Sequence, residues 1–436
     1  MSAEPLAKSR TVVQMTGSVF FDERGRLVTP RLGEVIRQAG DLRTGVDGRL
    51  WRYDGGVYRT DGDAFARDQV RELLGDECRR VHFEEVMTWL RSFPPSITGE
   101  VSTRHLNLAD GMLDWRSCEL SRHDPEHCST IQLPVRWNPE ARCPRFSQFL
   151  VEAMPKDAGL FVEEILGYGL LPDNPFHKAV LLKGPAGNGK STFIHVAEHL
   201  YGRENVSHRE LVDIAENRFA PADLLGKLAN LCGDIDARAL RQSSTFKTIT
   251  GGDTIVAERK FGQPFSFRPF ALLIFSANEA PFSADQSEAW FDRWLIVPMT
   301  ERFRGTEREE PHLRDRLASE IEGVLVLAVN GLRRLMERGR FEPPESVRVA
   351  GEDYREQLDT AIGFIAEGCV LHPDAWVPRP TLYKAYRQWC QDSGRLPTSA
   401  VHFYARLRQH FADQIKDRIR RGSPGFAGIG LLAEGG

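Results

Sequence analysis

The stretch 181-LLKGPAGNGKSTF-193 decides the fold of the central part of the chain. An apolar strand leads into a glycine-rich turn, and a Lys-Ser pair then opens a helix. Residues 184–191 match the GxxxxGK[ST] pattern without a mismatch. Glycines permit a tight turn that points backbone N–H groups inward, and the start of the helix adds positive potential. The pattern therefore predicts a phosphate-binding loop between a strand and a helix.

The pattern also predicts a role for each residue of the loop. We expect Lys190 to reach the β- and γ-phosphates of ATP and the Ser191 hydroxyl to ligate Mg²⁺. The alternative is a glycine-rich turn without a ligand, which the flanking strand and helix disfavour. The predicted nucleotide-binding residues are Gly184, Pro185, Ala186, Gly187, Asn188, Gly189, Lys190, Ser191 and Thr192.

Composition limits the class of protein. The 436 residues are enough for two or three domains, and 41% hydrophobic with 27% charged residues is usual for a soluble protein. The net charge of −4 means that any nucleic-acid contact must come from local basic patches. Seven scattered cysteines fit a reducing compartment, and no apolar run approaches the ~18 residues of a membrane span. We therefore expect a cytoplasmic protein without a membrane partner.

The pattern along the chain predicts three parts. Residues 1–150 form a small α+β accessory domain, with a hairpin over 49–59 and helices over 63–93. Residues 151–340 alternate apolar strands with helices, which is typical of an α/β fold with a P-loop ATPase core. Residues 341–436 comprise a linker, helices and a short strand.

Two acids follow the predicted strand in 228-LANLCGDIDARAL-240. Asp234 and Asp236 are two residues apart and share a face if the strand continues. Either could help to hold the Mg²⁺ and orient the attacking water, and the spacing does not decide between them. The alternative is a pair of surface acids at a strand end.

Two further candidates follow. Asn278, at the tip of the strand in 270-FALLIFSANEAP-281, could bind the γ-phosphate or the water, although such an Asn is often only a turn residue. Arg293 precedes the strand in 287-SEAWFDRWLIVPM-299. It either pairs locally or reaches the nucleotide of an adjacent subunit as an arginine finger, with Arg302 or Arg304 as the next candidates.

A predicted hairpin lies between the acids and Asn278. In 246-FKTITGGDTIVAERKFGQPFSFRPF-270 its tip carries Arg259, Lys260 and Phe261. Two cations beside a flat ring suit a phosphate backbone and a stacked base. The alternative is a solvated hairpin end.

The motifs GPAGNGKST, GDID, FKTITGGDTIVAERKF, FSANEAP and DRWLIVPM, in this order, resemble the superfamily 3 helicases. The chain is more closely similar to the helicase half of primase-helicase proteins of phages, plasmids and integrated elements, and distantly similar to the poxvirus primase-helicase. The resemblance covers most of the chain from about residue 45.

This resemblance implies an AAA+-like core, a C-terminal winged-helix-like domain, a homo-hexamer around DNA and 3′-to-5′ movement on a single strand. It implies that Asn278 is a sensor, Arg293 a finger and Lys247 a residue acting on a neighbour's nucleotide. It makes Asp234 or Asp236 the second acid motif, and the 259–261 hairpin the DNA contact. Related proteins often have Glu where Asp234 stands, and 150 residues leave little room for a primase domain.

The sequence therefore predicts an ATP-dependent DNA helicase that acts on single-stranded and forked DNA, for a mobile element replicating in a bacterial host. A separate primase could dock on residues 1–100. The alternatives are an initiator or loader that uses ATP only to assemble, and a small-molecule P-loop kinase.

Three other features carry weaker predictions. Asp61 and Asp63 could be a primase metal pair, but a turn into a helix is the better interpretation. A zinc site would have to be built from Cys118, His123, His127, Cys128 and Cys143, whose spacing matches no CxxC framework. The segment from 406 to 421 carries six Arg or Lys against two Asp, which is compatible with a DNA-binding winged helix.

Overall fold

The computed structural model describes residues 17–97, 102–235, 240, 242–283, 285, 287–395 and 397–432. The chain divides into two compact units, one comprising residues up to 101 with 124–130, and the other comprising 102–123 and 131–436. The boundary predicted near residue 150 thus falls inside the second unit. The finer division at 150 and 340 stays a prediction.

The first unit confirms the predicted hairpin and helices. Asp54 pairs with Val57, so Gly55 and Gly56 form a two-residue turn, and both have positive φ. Its helices bury one apolar face each around a core that includes Leu32 and Val86. Its elements are a 3₁₀ helix Gly17–Phe20, α1 Thr29–Ala39, β1 Arg43–Thr44, β2 Leu50–Asp54, β3 Val57–Arg59, α2 Gly62–Leu74 and α3 Arg80–Arg91.

The second unit begins with a small antiparallel sheet in the order β4-β5-β6, followed by two helices. The elements are β4 His105–Leu108, β5 Gly111–Asp114, β6 Glu119–Ser121, α4 Pro144–Ala153 and α5 Gly159–Tyr168.

A five-stranded parallel sheet forms the centre of this unit. Its order is β13-β7-β12-β9-β8, and Leu181 lies between Phe275 and Ile296 in the register. The strands are almost wholly buried, as expected for a parallel sheet covered on both faces. This confirms the predicted α/β class. The strands are β7 Ala179–Lys183, β8 Val206–Ser207, β9 Ala229–Cys232, β12 Leu272–Ala277 and β13 Trp294–Pro298.

Helices and one hairpin connect these strands. The hairpin pairs Ile255 with Phe267 and Ala257 with Phe265, which confirms the prediction for this segment. The connecting elements are α6 Lys190–Tyr201, α7 Leu211–Glu216, α8 Ser244–Gly251, β10 Ile255–Ala257, β11 Phe265–Phe267 and α9 Glu288–Phe291, and α10 Leu313–Ser319 follows the last strand.

The long helix α11 Ile321–Arg338 packs closely on α5 and ends at Gly339, which has a left-handed φ of 73°. A Cβ on Gly331 would lie 2.4 Å from the carbonyl oxygen of Glu163, so this crossing requires glycine. The predicted linker after α11 is shorter than expected. Helix α12 Glu345–Leu358 begins within it, because Pro344 occupies the N-cap and the following residues bury Val347 and Ala350.

The C-terminal part is a helical layer on a three-stranded antiparallel sheet of order β14-β16-β15. The predicted helices and last strand are present, but β14 and β15 were not predicted. The core includes Phe364, Tyr386, Phe403 and Phe426. The elements are α13 Thr360–Gly368, β14 Cys369–Pro378, α14 Arg379–Asp392, α15 Ala400–His410, β15 Lys416–Arg420 and β16 Ser423–Leu431. Among the described helices, none is both long and apolar enough to cross a membrane.

Candidate functional site

The glycine-rich loop joins β7 to α6 and depends on its glycines. Gly187 and Gly189 have φ of 79° and 95°, which residues other than glycine rarely adopt. A Cβ on Gly184 would lie 1.9 Å from the carbonyl oxygen of Met299. The loop therefore has the compact conformation that the sequence pattern predicts.

Lys190 stands at the start of α6, is 4% exposed and is surrounded by oxygen atoms. Its Nζ donates to the Pro185 carbonyl at 2.9 Å, the Asn188 side chain at 3.2 Å and the Asn278 side chain at 3.3 Å. Burial lowers the pKa of Lys190, and the negative charge of Asp234 partly offsets this shift. The ammonium group is therefore held in a position from which it can meet an anionic ligand.

The segment after β13 closes one side of the loop. The amide of Asn188 donates to the carbonyl of Met299. The backbone N–H groups of Phe303 and Arg304 donate to the Gly187 carbonyl, at 2.9 and 3.2 Å. The loop conformation is thus supported by a segment more than 110 residues away along the chain.

The predicted strand-end residues meet at the same edge of the sheet. Asp234 follows β9, and its backbone N–H donates to the Ser276 hydroxyl of the neighbouring β12 at 3.2 Å. Asn278 follows β12 and contacts Lys190. Both side chains line the same cavity as Lys190 and Ser191. Asp236, the other candidate acid, lies outside the described residues.

The cavity has a volume of about 580 Å³ and extends from the loop to the segment 303–315. This volume lies in the usual range for small-molecule sites. Arg304, Arg308 and Arg314 line it, as does Arg145, which donates to Glu310 at 2.8 Å. The sequence predicts Arg304 only as an alternative finger. It does not predict this wall, where Arg304, Arg308 and Arg314 lie among Glu309, Glu310 and Asp315, and the only signal for the wall is the density of charged residues between 302 and 316.

The side chains of Ser191 and Asp234 are chemically suited to bind magnesium, because hydroxyl and carboxylate oxygens are ligands that Mg²⁺ prefers. Both line the cavity beside Lys190. No group of three or more His, Cys, Asp or Glu suited to a metal occurs among the described residues. Cys118 and Cys128 instead accept hydrogen bonds from arginines, and Asp61 and Asp63 form salt bridges with Arg52 and Arg91.

Arg293 is not among the residues that line the cavity. Its Nε donates to the Thr250 hydroxyl at 2.9 Å, and its guanidinium also contacts the Lys247 carbonyl at 3.4 Å. In the isolated chain Arg293 is thus held against the end of α8.

Lys247 lies on α8 and binds Asp285 at 2.7 Å. Burial by itself raises the pKa of Asp285, but hydrogen bonds from Lys247 and Ser243 outweigh this effect and hold the pKa well below its usual range. Lys247 therefore has a fixed acidic partner within its own chain.

The hairpin tip, defined as Arg259, Lys260 and Phe261, projects from β10 and β11. Phe261 is 95% exposed and has a left-handed φ of 66°. The Lys260 ammonium lies 5.3 Å from its ring centroid. Arg259 instead lies toward the body of the domain, 3.9 Å from the Asp223 carboxylate. The tip therefore presents one ring and one cation outward, and a second cation at its base.

Three family profiles match separate parts of the chain. A family described as D5 N terminal like matches residues 35–155, a family of unknown function named DUF5906 matches 182–293, and a family described as poxvirus D5 protein-like matches 356–424. The central match contains the loop, the acids, the hairpin and Arg293.

Individual relatives are distant. The chain is 21% identical over 279 residues to a protein of Acanthamoeba polyphaga mimivirus named as a candidate helicase, L207/L206, covering 58% of this chain. The chain spans only 29% of that protein's length. It is also similar to two apo structures of the NrS-1 C terminal region, at 13% identity with a TM-score of 0.50 and at 12% identity with a TM-score of 0.49.

The first of these alignments covers 92% of this chain and 98% of the other, so the two chains share a fold. The second also covers 92% of this chain and 99% of the other. The matches at both ends to D5-like families, together with the mimivirus protein named as a candidate helicase, agree with the resemblance of this chain's motifs to the viral primase-helicase proteins.

Proposed function

We propose that this protein is an ATP-dependent DNA helicase of superfamily 3 that acts in the replication of a phage, plasmid or integrated element. One observation carries the proposal. Lys190, Asp234 and Asn278 come from three separate segments and meet in one cavity of nucleotide size at the carboxyl edge of a parallel sheet. This is the arrangement that phosphoryl transfer to water requires.

Each side chain has a chemical task in this proposal. Lys190 binds the β- and γ-phosphate oxygens, exchanging its present carbonyl partners for charged ones. Asp234, or Asp236 beside it, orients the attacking water, and Asn278 positions that water or the γ-phosphate. Mg²⁺ held near Ser191 and Asp234 would neutralise phosphate charge. Arg304 and Arg314 add positive potential along the cavity wall.

The active form in this proposal is a homo-hexamer of AAA+-like subunits. The cavity contains cations from its own chain, but Arg293 and Lys247 lie outside it. A residue outside its own cavity can act on the nucleotide of an adjacent subunit. The local partners Thr250 and Asp285 would then release these cations when a neighbouring subunit binds.

The exposed hairpin tip supports the proposal of a DNA contact. A ring that is almost wholly exposed beside a cation suits stacking with a base and pairing with a phosphate. The hairpin is part of the connection between β9 and β12, so Asp234 and Asn278 flank it along the chain. Nucleotide-dependent shifts at those residues could move the tip along a single strand, 3′ to 5′, with forked DNA as the substrate for unwinding.

The regions outside the core complete the proposal. Residues 1–100 offer a docking domain for a separate primase. The order α13, β14, α14, α15, β15, β16 supports the proposal of a winged-helix-like C-terminal domain.

The test is ATP hydrolysis with and without single-stranded DNA, together with molecular mass with bound nucleotide and unwinding of forked DNA with either a 3′ or a 5′ tail. We expect hydrolysis that single-stranded DNA stimulates, a mass near six chains, and unwinding that requires the 3′ tail. A nucleotide-independent monomer without hydrolysis would overturn the proposal.

The second candidate is an initiator or loader that hydrolyses ATP only during assembly. It shares the cavity and the hairpin tip, and it predicts DNA binding and oligomer formation without unwinding of either fork. The same experiment therefore distinguishes the two.

A further inference from the structure

The three-stranded C-terminal sheet has two chemically different faces. Residues that pair across neighbouring strands place their side chains on the same face. Lys416 pairs with Ala427, which pairs with Trp376 on the other side. Two residues further along, Arg418 pairs with Gly425. These residues, with Arg420 opposite Ser423, therefore occupy one face.

The other face is the core face. Val377 and Phe426 alternate with the residues above and are buried against helices α13, α14 and α15. The face with the cations is consequently the solvent face, and every residue of β15 is exposed.

The residues paired with the cations on this face have small side chains. The residues opposite Lys416, Arg418 and Arg420 are Ala427, Gly425 and Ser423, all of which are small. The Trp376 ring lies directly over Gly425, where a Cβ would be only 2.6 Å from the ring. Small residues of β16 and the Trp376 ring therefore lie beside the three basic side chains.

Trp376 also orients the basic residues. Its indole N–H donates to the Arg418 carbonyl at 3.3 Å, and the Arg420 guanidinium lies 5.8 Å from the ring centroid. The hairpin then turns through Arg421 and Gly422, which both have positive φ, as a two-residue turn of this kind requires. Lys416, Arg418, Arg420 and Arg421 are called the basic strip below.

The charges of the adjoining helix are already paired. On α15, Arg406 lies 3.5 Å from Asp359 and Arg408 lies 2.7 Å from Asp417. Asp417 is on the core side of β15 and also binds Arg379. Among the residues that the structure describes, no member of the basic strip forms a salt bridge. Between α15 and the β15-β16 hairpin, the uncompensated positive charge is therefore on the hairpin.

We propose that the basic strip is a second nucleic-acid-binding surface, which holds the phosphate backbone by charge. Alternate residues on a strand are about 6.8 Å apart, so Lys416 to Arg420 span about 14 Å, the length of about four stacked nucleotides. The proposal needs neither the hairpin tip nor ATP hydrolysis, and it can hold even if the protein is not a helicase.

The test compares the wild-type chain with Arg418→Ala/Arg420→Ala in binding labelled 20-nucleotide single strands and 20-base-pair duplexes without nucleotide. We expect roughly tenfold weaker binding at low salt. The slope of log affinity against log salt should fall by about 1.4 for the single strand or 1.8 for the duplex. The oligonucleotide with the larger effect identifies which form of backbone the strip holds.

The matched control is Lys384→Ala/Arg387→Ala. These exposed residues lie on α14, which packs on the opposite face of the sheet, and their removal changes the net charge equally. We expect wild-type affinity and slope. Arg418→Lys/Arg420→Lys should keep the wild-type slope, and thermal melting checks that each variant is folded.

If both double-alanine variants lost the same affinity for nucleic acid, the effect would depend only on net charge, and the proposal would be overturned. Unchanged affinity with reduced solubility would also overturn it, because it would mean that the cations only protect the edge strand β15 from aggregation. Loss of binding to anionic vesicles with nucleic-acid affinity unchanged would overturn it in favour of a membrane surface. If the wild-type chain did not hydrolyse ATP but Arg418→Ala/Arg420→Ala still lost affinity and salt slope as expected, only the proposed ATPase activity would be contradicted.

Discussion

The cavity beside Lys190 and the hairpin tip both combine cations with polar or aromatic partners, but they do so in opposite surroundings. Lys190 is 4% exposed and has its position set by several oxygen atoms. Phe261 is 95% exposed, and the partner of Lys260 is the ring of its own neighbour. The surroundings of Lys190 are organised by contacts within the chain, whereas Lys260 and Phe261 are open to solvent.

This difference determines how much a single substitution should change. A charge in a buried, organised site acts through short, weakly screened interactions, so its loss affects catalysis by orders of magnitude. An exposed charge is screened by salt, and each one contributes modestly to binding. Substitutions in the two regions should therefore differ in size and in salt dependence.

The largest effect is expected for Lys190→Ala. It removes the cation proposed to meet the phosphates, so ATP hydrolysis should be abolished while the circular dichroism spectrum stays unchanged. The control is Lys384→Ala, which removes an exposed lysine and should keep wild-type activity. Activity of Lys190→Ala within threefold of wild type would contradict the assignment of the loop.

Arg293→Ala tests whether the cavity is complete within one chain. We expect ATP binding to persist and hydrolysis to fall by about 10³-fold or more, as for other arginine fingers. Arg268→Ala is the matched control, because Arg268 also donates to the end of α8, at the Gly252 carbonyl, and has no proposed catalytic role. Equal activity of Arg293→Ala and wild type would remove the finger.

A mixture of Arg293→Ala and Lys190→Ala sharpens this test. Some interfaces in a mixed ring join an intact Arg293 to an intact Lys190, so part of the activity should return when subunits exchange. The absence of recovery at every mixing ratio, under conditions where exchange is demonstrated, would argue against a shared site.

Arg259→Ala/Lys260→Ala should have a smaller effect, limited to DNA. We expect weaker single-strand binding and a salt slope reduced by about 1.4, because each cation displaces about 0.7 counterion from a single strand. Basal hydrolysis without DNA should remain at the wild-type level. Lys384→Ala/Arg387→Ala again controls for net charge, and an unchanged slope in the hairpin variant would leave the tip as a solvated hairpin end.

The smallest effect is expected for Asp285→Asn. The pKa of Asp285 is lower in the folded chain than in the unfolded chain, so its ionised form stabilises the fold above about pH 4 and loses this effect as pH falls through the lowered pKa. We expect the free energy of unfolding at pH 7 to fall by about 1 kcal/mol. Denaturant titrations should show this difference shrinking below pH 4, and a pH-independent difference would exclude the linkage.

Local patterns predicted much of the fold. The apolar runs that became β7, β9, β12 and β13 and the hairpin over 49–59 all depend on neighbours within a few residues. The failures have a different origin. Strand β15 is exposed along its whole length and carries no apolar alternation, and β14 is mostly exposed, so neither has the signal of a buried strand. Helix α12 begins directly after two prolines, and these prolines favour the interpretation of the start of this segment as a linker.

The sequence by itself determined the glycine-rich loop between β7 and α6, the α/β class and the positions of the candidate acids, because glycine conformation and apolar runs are local properties. Only the tertiary structure decided the strand order, which brings Asp234 and Asn278 to Lys190, and the wall of arginines beyond them. It also decided that Arg293 and Lys247 contact α8 and Asp285 rather than the cavity. These features depend on contacts between segments tens to more than a hundred residues apart, and no local pattern encodes which distant segments pack together.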